Sequence, residues 1–111
     1  MPIFITQGRY TQQAMKGLVS KPEDRNEEVR QLFDRAGCRL VNYYMTFGEY
    51  DFLIISDAPD AKAILSVLAV ASAGGGVTHV KTTLAVTTAD AKEAFASANK
   101  SASQFRSAGQ S

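Results

Sequence analysis

The sequence predicts an α+β domain of the ferredoxin-like type, with a four-stranded antiparallel sheet and helices on one face of that sheet. Strand-type and helix-type patterns follow one another in the order β-α-β-β-α-β, with one further helix at the end. A short connection at Gly48 joins the second and third strands, which favours an antiparallel hairpin. The chain has 111 residues, 45% hydrophobic and 21% charged, which is typical of a single soluble globular domain.

The first strand and the next two helices are predicted from short local patterns. Residues 3–8 are rich in β-forming side chains and end at a glycine. Thr11 is placed to cap a short helix. Ser20, with Glu23 three positions later, has the pattern of a capping box and predicts the start of a second helix. The apolar stripe of that helix ends at Gly37, which we expect to adopt a left-handed conformation.

The predicted hairpin comprises residues 39–47 and 51–56. Both segments are rich in aromatic and branched side chains, and residues 48–49 between them predict a tight turn. Because side chains alternate along a strand, Tyr43 and Tyr44 are predicted to point to opposite faces of the sheet.

The remaining elements are a helix, a long strand and a terminal helix. Residues 57–60 contain Asp and Pro at positions that start a helix, and the three glycines at 74–76 end it. Residues 77–86 are rich in valine and threonine and predict the last strand. Thr87 is predicted to cap the terminal helix.

The chain is divided into a folded domain, residues 1–96, and a flexible C-terminal tail, residues 97–111. The tail is rich in serine and alanine, with few large apolar side chains. Such a segment buries too little surface to offset the entropy lost on ordering.

The composition argues against several classes of partner and site. The net charge of +1 predicts neither a nucleic acid partner nor an anionic membrane partner. One cysteine, Cys38, and one histidine, His79, exclude an internal disulfide, a thiolate zinc cluster and a two-histidine site within one chain. We therefore predict no metal and no cofactor. The N-terminus has no signal-peptide pattern and no segment is apolar enough to span a bilayer, so we expect a cytoplasmic location.

One face of the predicted sheet lacks helices and needs another cover. Strict alternation along residues 39–47 would place one set of side chains, Val41, Tyr43, Met45 and Phe47, opposite another set, Leu40, Asn42, Tyr44 and Thr46. Neither set is plainly polar, and exposed apolar patches mark interfaces or ligand grooves. We therefore predict self-association, as a homodimer or a higher oligomer.

Residues 46–60 resemble the signature of the GYD-domain family, which is named for a Gly-x-Tyr-Asp motif. Here that motif comprises Gly48, Tyr50 and Asp51, placed after an aromatic strand and before a helix start. The resemblance covers roughly residues 2–96. It implies a dimeric α/β-barrel form of the ferredoxin-like fold, and it implies little about activity because the family is largely uncharacterised.

Four residues are candidates for ligand binding: Tyr50, Asp51, Tyr44 and His79. A carboxylate beside a phenol can hold a substrate hydroxyl or act as a general base. The alternative is a structural turn, in which Gly48 has positive φ and Asp51 accepts backbone hydrogen bonds. Tyr44 would line an interface or a pocket, and His79 could be a general base, a haem ligand or a structural residue.

The favoured functional hypothesis is an oligomeric module that binds a small molecule, with no assigned reaction. The ligand would lie between the helices and the sheet or at a sheet-to-sheet interface. One alternative is a cofactor-independent isomerase or monooxygenase of the dimeric α/β-barrel class, which requires a polar group with a perturbed pKa in an enclosed pocket. The other alternative is a purely structural homo-oligomer, which requires no pocket.

Overall fold

A computed structural model describes residues 1–110 of the chain. Its strands are β1 (Ile3–Tyr10), β2 (Arg39–Met45), β3 (Phe52–Asp57) and β4 (Val77–Ala85). Its helices are α1 (Gln12–Ser20), α2 (Asn26–Arg35), α3 (Ala61–Ala73) and α4 (Thr88–Ala102). The paired strands are antiparallel and lie in the order β2-β3-β1-β4, which confirms the predicted ferredoxin-like sheet.

The core lies between one face of the sheet and the helices that connect the strands. Alternate residues of β1 divide between the two faces, so Phe4 and Thr6 are buried whereas Ile3 and Ile5 are half-buried. Phe33 of α2 is only 2% exposed and lies in the same core. The buried apolar cluster comprises Phe4, Phe33, Cys38, Phe52, Ile54, Ala58, Ile64 and Val67.

The opposite side of the sheet is named here the open face. Ile5 of β1 lies beside Ile55 of β3, and Leu53 lies beside Tyr44 of β2. These four side chains are half-buried or exposed, whereas their neighbours on the core side of β1 and β3 are buried. The apolar residues of the open face are Ile3, Ile5, Tyr44, Leu53 and Ile55. An apolar strip therefore crosses the central strands without cover from the helices.

Three of the helix starts use the caps that the sequence predicts. The side chains of Thr11, Asp60 and Thr87 accept hydrogen bonds from backbone N–H groups in the first turns of α1, α3 and α4. The capping box at Ser20 is wrong, because Ser20 is the last residue of α1 and its hydroxyl donates to a carbonyl of that helix. The next helix, α2, begins only at Asn26, whose backbone N–H donates to the Asp24 carboxylate at 2.9 Å.

The connection of the hairpin is longer than predicted. The second strand ends at Met45 and the third begins at Phe52, so residues 46–51 link them. Gly48 has φ 98°, as expected, and the Thr46 hydroxyl donates to the carbonyl of Tyr50 at 2.8 Å. Phe47 therefore lies outside the strand and is fully exposed, where strand alternation would have placed it on a sheet face.

The two edge strands, β2 and β4, each contain a register shift. At that shift the edge strand has one residue more than the strand with which it pairs. In β2 the shift lies between Leu40 and Asn42, so Leu40 shares the core face with Tyr43 instead of lying on the opposite face as predicted. In β4 the shift lies near His79, which has φ 53°, a left-handed conformation that is unusual for a residue with a side chain. Strict alternation fails in both strands because of these bulges.

The terminal helix projects from the domain. It continues through Ala102, past the domain boundary predicted at residue 96, and it has no buried residue. Phe95 is 71% exposed, and α4 makes no extensive packing contact with the other described elements. The described chain is accordingly elongated, with a longest dimension of 63 Å. The flexibility of residues 97–111 stays a prediction.

Candidate functional site

A large cavity lies between the core face of the sheet and helices α1, α2 and α3. Its volume is about 550 Å³, which lies within the usual range for small-molecule pockets. The walls are mostly apolar and include Leu18, Val29, Leu32, Val67, Leu68 and Val80. Three helices therefore enclose a space that the side chains of the core do not fill.

The hydroxyl groups of two tyrosines lie together on the wall of this cavity. Tyr10 comes from the end of β1 and Tyr43 from β2, and their hydroxyl groups are hydrogen-bonded to each other. Between these strands lies β3, whose Phe52 packs against both rings at centroid distances of 5.2 Å and 6.3 Å. Gly8 leaves room for Phe52, because a Cβ there would lie 2.6 Å from the ring atom Cζ. The tightly packed ring of Phe52 therefore fixes the position of both phenols.

The two phenols remain protonated near neutral pH. Burial is the largest cause that raises the pKa of Tyr10, and it also raises the pKa of Tyr43 above its ordinary value. The positive charge of Arg25 acts in the opposite direction on both groups, which places a cation within electrostatic reach of the hydroxyls. A protonated phenol pair beside a guanidinium can donate hydrogen bonds to a ligand oxygen.

The rim of the cavity is formed by the loop between α1 and α2. Lys21, Glu23 and Arg25 line it, and Arg25 Nη1 lies 3.1 Å from Glu23 Oε1 in an exposed ion pair. A second cavity of about 340 Å³ is lined by residues of the same loop and by both tyrosines. The loop therefore brings charged groups to the mouth of a site whose interior is apolar.

The GYD motif residues support the hairpin end of β1. The Asp51 carboxylate accepts a hydrogen bond from the backbone N–H of Tyr10 at 2.9 Å, and the Asp51 N–H donates to the carbonyl of Gly8 at 2.8 Å. Tyr50 is half-buried, and neither residue lines either cavity. Asp51 therefore acts on the site indirectly, because its carboxylate fixes the backbone of Tyr10, whose side chain lines the cavity.

The other two predicted site residues lie elsewhere. Tyr44 is 54% exposed on the open face, where its hydroxyl accepts a hydrogen bond from Asn42 at 3.0 Å. His79 is exposed in edge strand β4, and its Nδ1 is 3.2 Å from the hydroxyl of Thr78. The four candidates do not converge on one place, and a ligand-binding role for each stays a prediction.

Sequence reasoning missed Tyr10, Tyr43 and Arg25 as site residues. Tyr10 follows the predicted first strand, and one more alternation along that strand would have placed it on the face of Phe4 and Thr6. The partner of Tyr10 is visible only once β2 and β1 are both paired with β3. No sequence pattern indicates a site at Arg25, because charged residues that precede a helix are usually solvated.

Substitutions at Asp51 test its structural role. Asp51→Ala is expected to lower the free energy of unfolding by about 1–2 kcal/mol, because the N–H of Tyr10 loses its acceptor. Asp51→Asn is expected to change it little, because the amide oxygen can accept the same bond. Urea denaturation measures both values. An Asp51→Asn protein of normal stability that no longer binds ligand would instead assign a functional charge to this residue.

Neither a metal cluster nor a membrane-spanning helix occurs in the described part of the chain. Across residues 1–110, no three His, Cys, Asp or Glu side chains come together closely enough to hold a metal ion. No helix within the same range is both long enough and apolar enough to cross a bilayer.

A family model described as the GYD domain matches residues 4–95. The chain belongs to the GYD-domain family. This match confirms the resemblance carried by Gly48, Tyr50 and Asp51. The matched region contains all four strands and ends within α4, so the first half of the projecting helix is included.

One relative of this GYD-domain chain is named for the proteins that it binds. The chain is 38% identical over 76 residues to the glutamine synthetase and cystathionine beta-lyase binding protein of Thermus thermophilus. The aligned segment covers 67% of this chain and 79% of the relative.

Two solved structures share the fold of this GYD-domain chain. TTHA0845 of Thermus thermophilus matches with a TM-score of 0.51 and 16% identity, over 78% of this chain and 95% of that chain. MtbAldR matches with a TM-score of 0.54 and 12% identity, over 78% of this chain and 52% of that chain. At these identities the likeness supports the α+β fold alone.

Proposed function

We propose that this GYD-domain protein is an oligomeric module that binds a small molecule in the cavity between its helices and its sheet. The observation that carries the proposal is the cavity itself, about 550 Å³ of mostly apolar space whose wall includes the hydrogen-bonded hydroxyls of Tyr10 and Tyr43. Small-molecule sites typically combine apolar walls with a few placed polar groups. The self-association part of the proposal rests on the apolar strip of the open face.

The cavity chemistry favours binding over catalysis. A general base near neutral pH needs a pKa close to the operating pH. Burial moves the pKa of Tyr10 and Tyr43 upward, away from that range, so both phenols keep their protons. They act as hydrogen-bond donors, which suits recognition of a ligand oxygen.

A neutral fluorescent probe tests whether the cavity binds small molecules. N-phenyl-1-naphthylamine is expected to bind the wild-type protein with increased fluorescence, because its fused rings suit the apolar walls. Ala14→Phe, which places a ring in the cavity from α1, is expected to abolish the signal. Met15→Phe is the matched control, because Met15 is 42% exposed and does not line the cavity. Equal binding by both variants would place the probe elsewhere and contradict the proposal.

Binding of a protein partner is a second candidate function. It is favoured by the relative named as a binding protein for glutamine synthetase and cystathionine beta-lyase. The projecting helix α4, with Phe95 exposed, offers a surface that its own domain does not use. Co-elution with the glutamine synthetase of the same organism in size-exclusion chromatography tests it. Co-elution that Phe95→Ser removes supports the second function, and separate elution contradicts it.

A further inference from the structure

We infer that the ligand of this cavity is an amphipathic monocarboxylate, whose apolar body lies among the helices and whose carboxylate reaches the Tyr10–Tyr43 pair beside Arg25. This inference rests on the proposed small-molecule function. It adds the chemical class of the ligand and the residues that recognise each of its ends.

The apolar body follows from the walls of the cavity. Side chains from three helices and the sheet line it, and most of them are aliphatic, as in Val29, Leu68 and Val80. Few polar side chains other than the tyrosine pair face the interior, so a strongly polar body would lose its water without replacement hydrogen bonds. An aliphatic or aromatic chain has no hydrogen bonds to water to lose, and its burial is favourable.

The polar end follows from a count of hydrogen atoms at the tyrosine pair. Two phenols carry two hydroxyl hydrogens, and the hydrogen bond between Tyr10 and Tyr43 uses one of them. The other hydrogen remains available to an acceptor in the cavity that both residues line. The pair can therefore donate one hydrogen bond to a ligand atom that accepts it, such as a carboxylate oxygen.

The charge of that acceptor is inferred from the charged side chains at the rim of the cavity. Arg25 lines both cavities together with Tyr10 and Tyr43, and its positive charge acts to lower the pKa of both phenols. Its ion pair with Glu23 is exposed, with about half of each side chain open to solvent, and exposed pairs contribute little. Arg25 can therefore turn to an incoming carboxylate at small cost. Lys21, which makes no ion pair with a described carboxylate side chain, adds a second positive charge at the mouth.

Competition between ligands of equal length tests the inference. Octanoate, octan-1-ol and octylammonium are each titrated against N-phenyl-1-naphthylamine bound to the wild-type protein. We expect octanoate to displace the probe at a concentration about tenfold lower than octan-1-ol, as hydrogen bonds to a charged group allow. We expect octylammonium to be the weakest of the three.

Two variants assign that preference to the named groups. Tyr10→Phe/Tyr43→Phe removes both hydroxyls together and keeps the rings, so no partner is left unsatisfied. Arg25→Gln removes the charge. Both variants are expected to lose the preference for octanoate, so that octanoate and octan-1-ol displace the probe at similar concentrations. Tyr44→Phe and Arg35→Gln are matched controls, because neither residue lines the cavity, and both are expected to keep the preference.

The outcomes separate this inference from the proposed function. Equal displacement by octanoate and octan-1-ol overturns the carboxylate as the ligand class. A preference that persists in the double tyrosine variant overturns recognition of the carboxylate by the tyrosine pair. In both cases the cavity remains a binding site. Failure of the wild-type protein to bind the probe overturns both.

Discussion

Phe33→Ala is expected to lower the free energy of unfolding by about 3–5 kcal/mol, the usual cost of truncating a buried phenylalanine. Phe33 is 2% exposed, and its ring is one of the largest fully buried groups in the described chain. It also lines the large cavity, so its removal would enlarge a space that is already unfilled. Because a typical domain has only about 5–15 kcal/mol of stability, this one change removes a large part of it.

Urea denaturation followed by far-ultraviolet circular dichroism measures the change. Phe47→Ala is the matched control, because Phe47 is fully exposed in the hairpin connection, and it is expected to shift the free energy of unfolding by less than about 0.5 kcal/mol. Equal losses for the two variants would show that α2 does not pack on the sheet as described.

Ile55→Asp is expected to dissociate the proposed dimer into monomers at micromolar concentration. Ile55 lies at the centre of the open face, beside Ile5, where a second copy would cover it. Two copies of the substitution would bury two carboxylates without partners. At about 1–3 kcal/mol for each unpaired polar group, the two groups raise the dissociation constant by roughly thirtyfold or more.

Light scattering coupled to size-exclusion chromatography measures the mass of each variant. Leu65→Asp provides the matched control, because Leu65 is 63% exposed on α3, away from the open face, and is expected to leave the dimer intact. A wild-type protein that elutes as a monomer, or an Ile55→Asp protein that remains dimeric, would rule out assembly through this face.

Most of the fold could be predicted because its signals are local. Thr11 and Thr87 cap helices through side-chain bonds to nearby N–H groups, and Gly37 has the left-handed conformation that its position predicted. The start of α2 could not be placed in this way. Ser20 and Asp24 both offer a side-chain oxygen a few residues before the stripe, but Ser20 bonds to a carbonyl of α1 whereas Asp24 accepts the N–H of Asn26.

The site could be predicted only in part, because it depends on contacts between distant segments. Strand alternation was sufficient to place Tyr43 and Tyr44 on opposite faces. It was not sufficient to bring Tyr43 to Tyr10, which requires the strand order and the approach of Phe52 to Gly8. The motif residue Asp51 attracted attention as a possible site, yet its observed contact is with the backbone that positions Tyr10.

The bulges of the two outer strands bear on how this protein avoids polymerising. An outer strand presents unpaired N–H and C=O groups, and a straight one can recruit the same strand of a neighbour into an endless ribbon. Here β2 and β4 are the outer strands, and each contains an inserted residue that bends its backbone, with His79 twisted into a left-handed conformation. A bent outer strand cannot pair in regular register with the same strand of a second molecule, so ribbon growth is disfavoured at both edges of the sheet. The proposed association would instead use the open face, where two copies cover each other's apolar strips and leave no strand edge to extend.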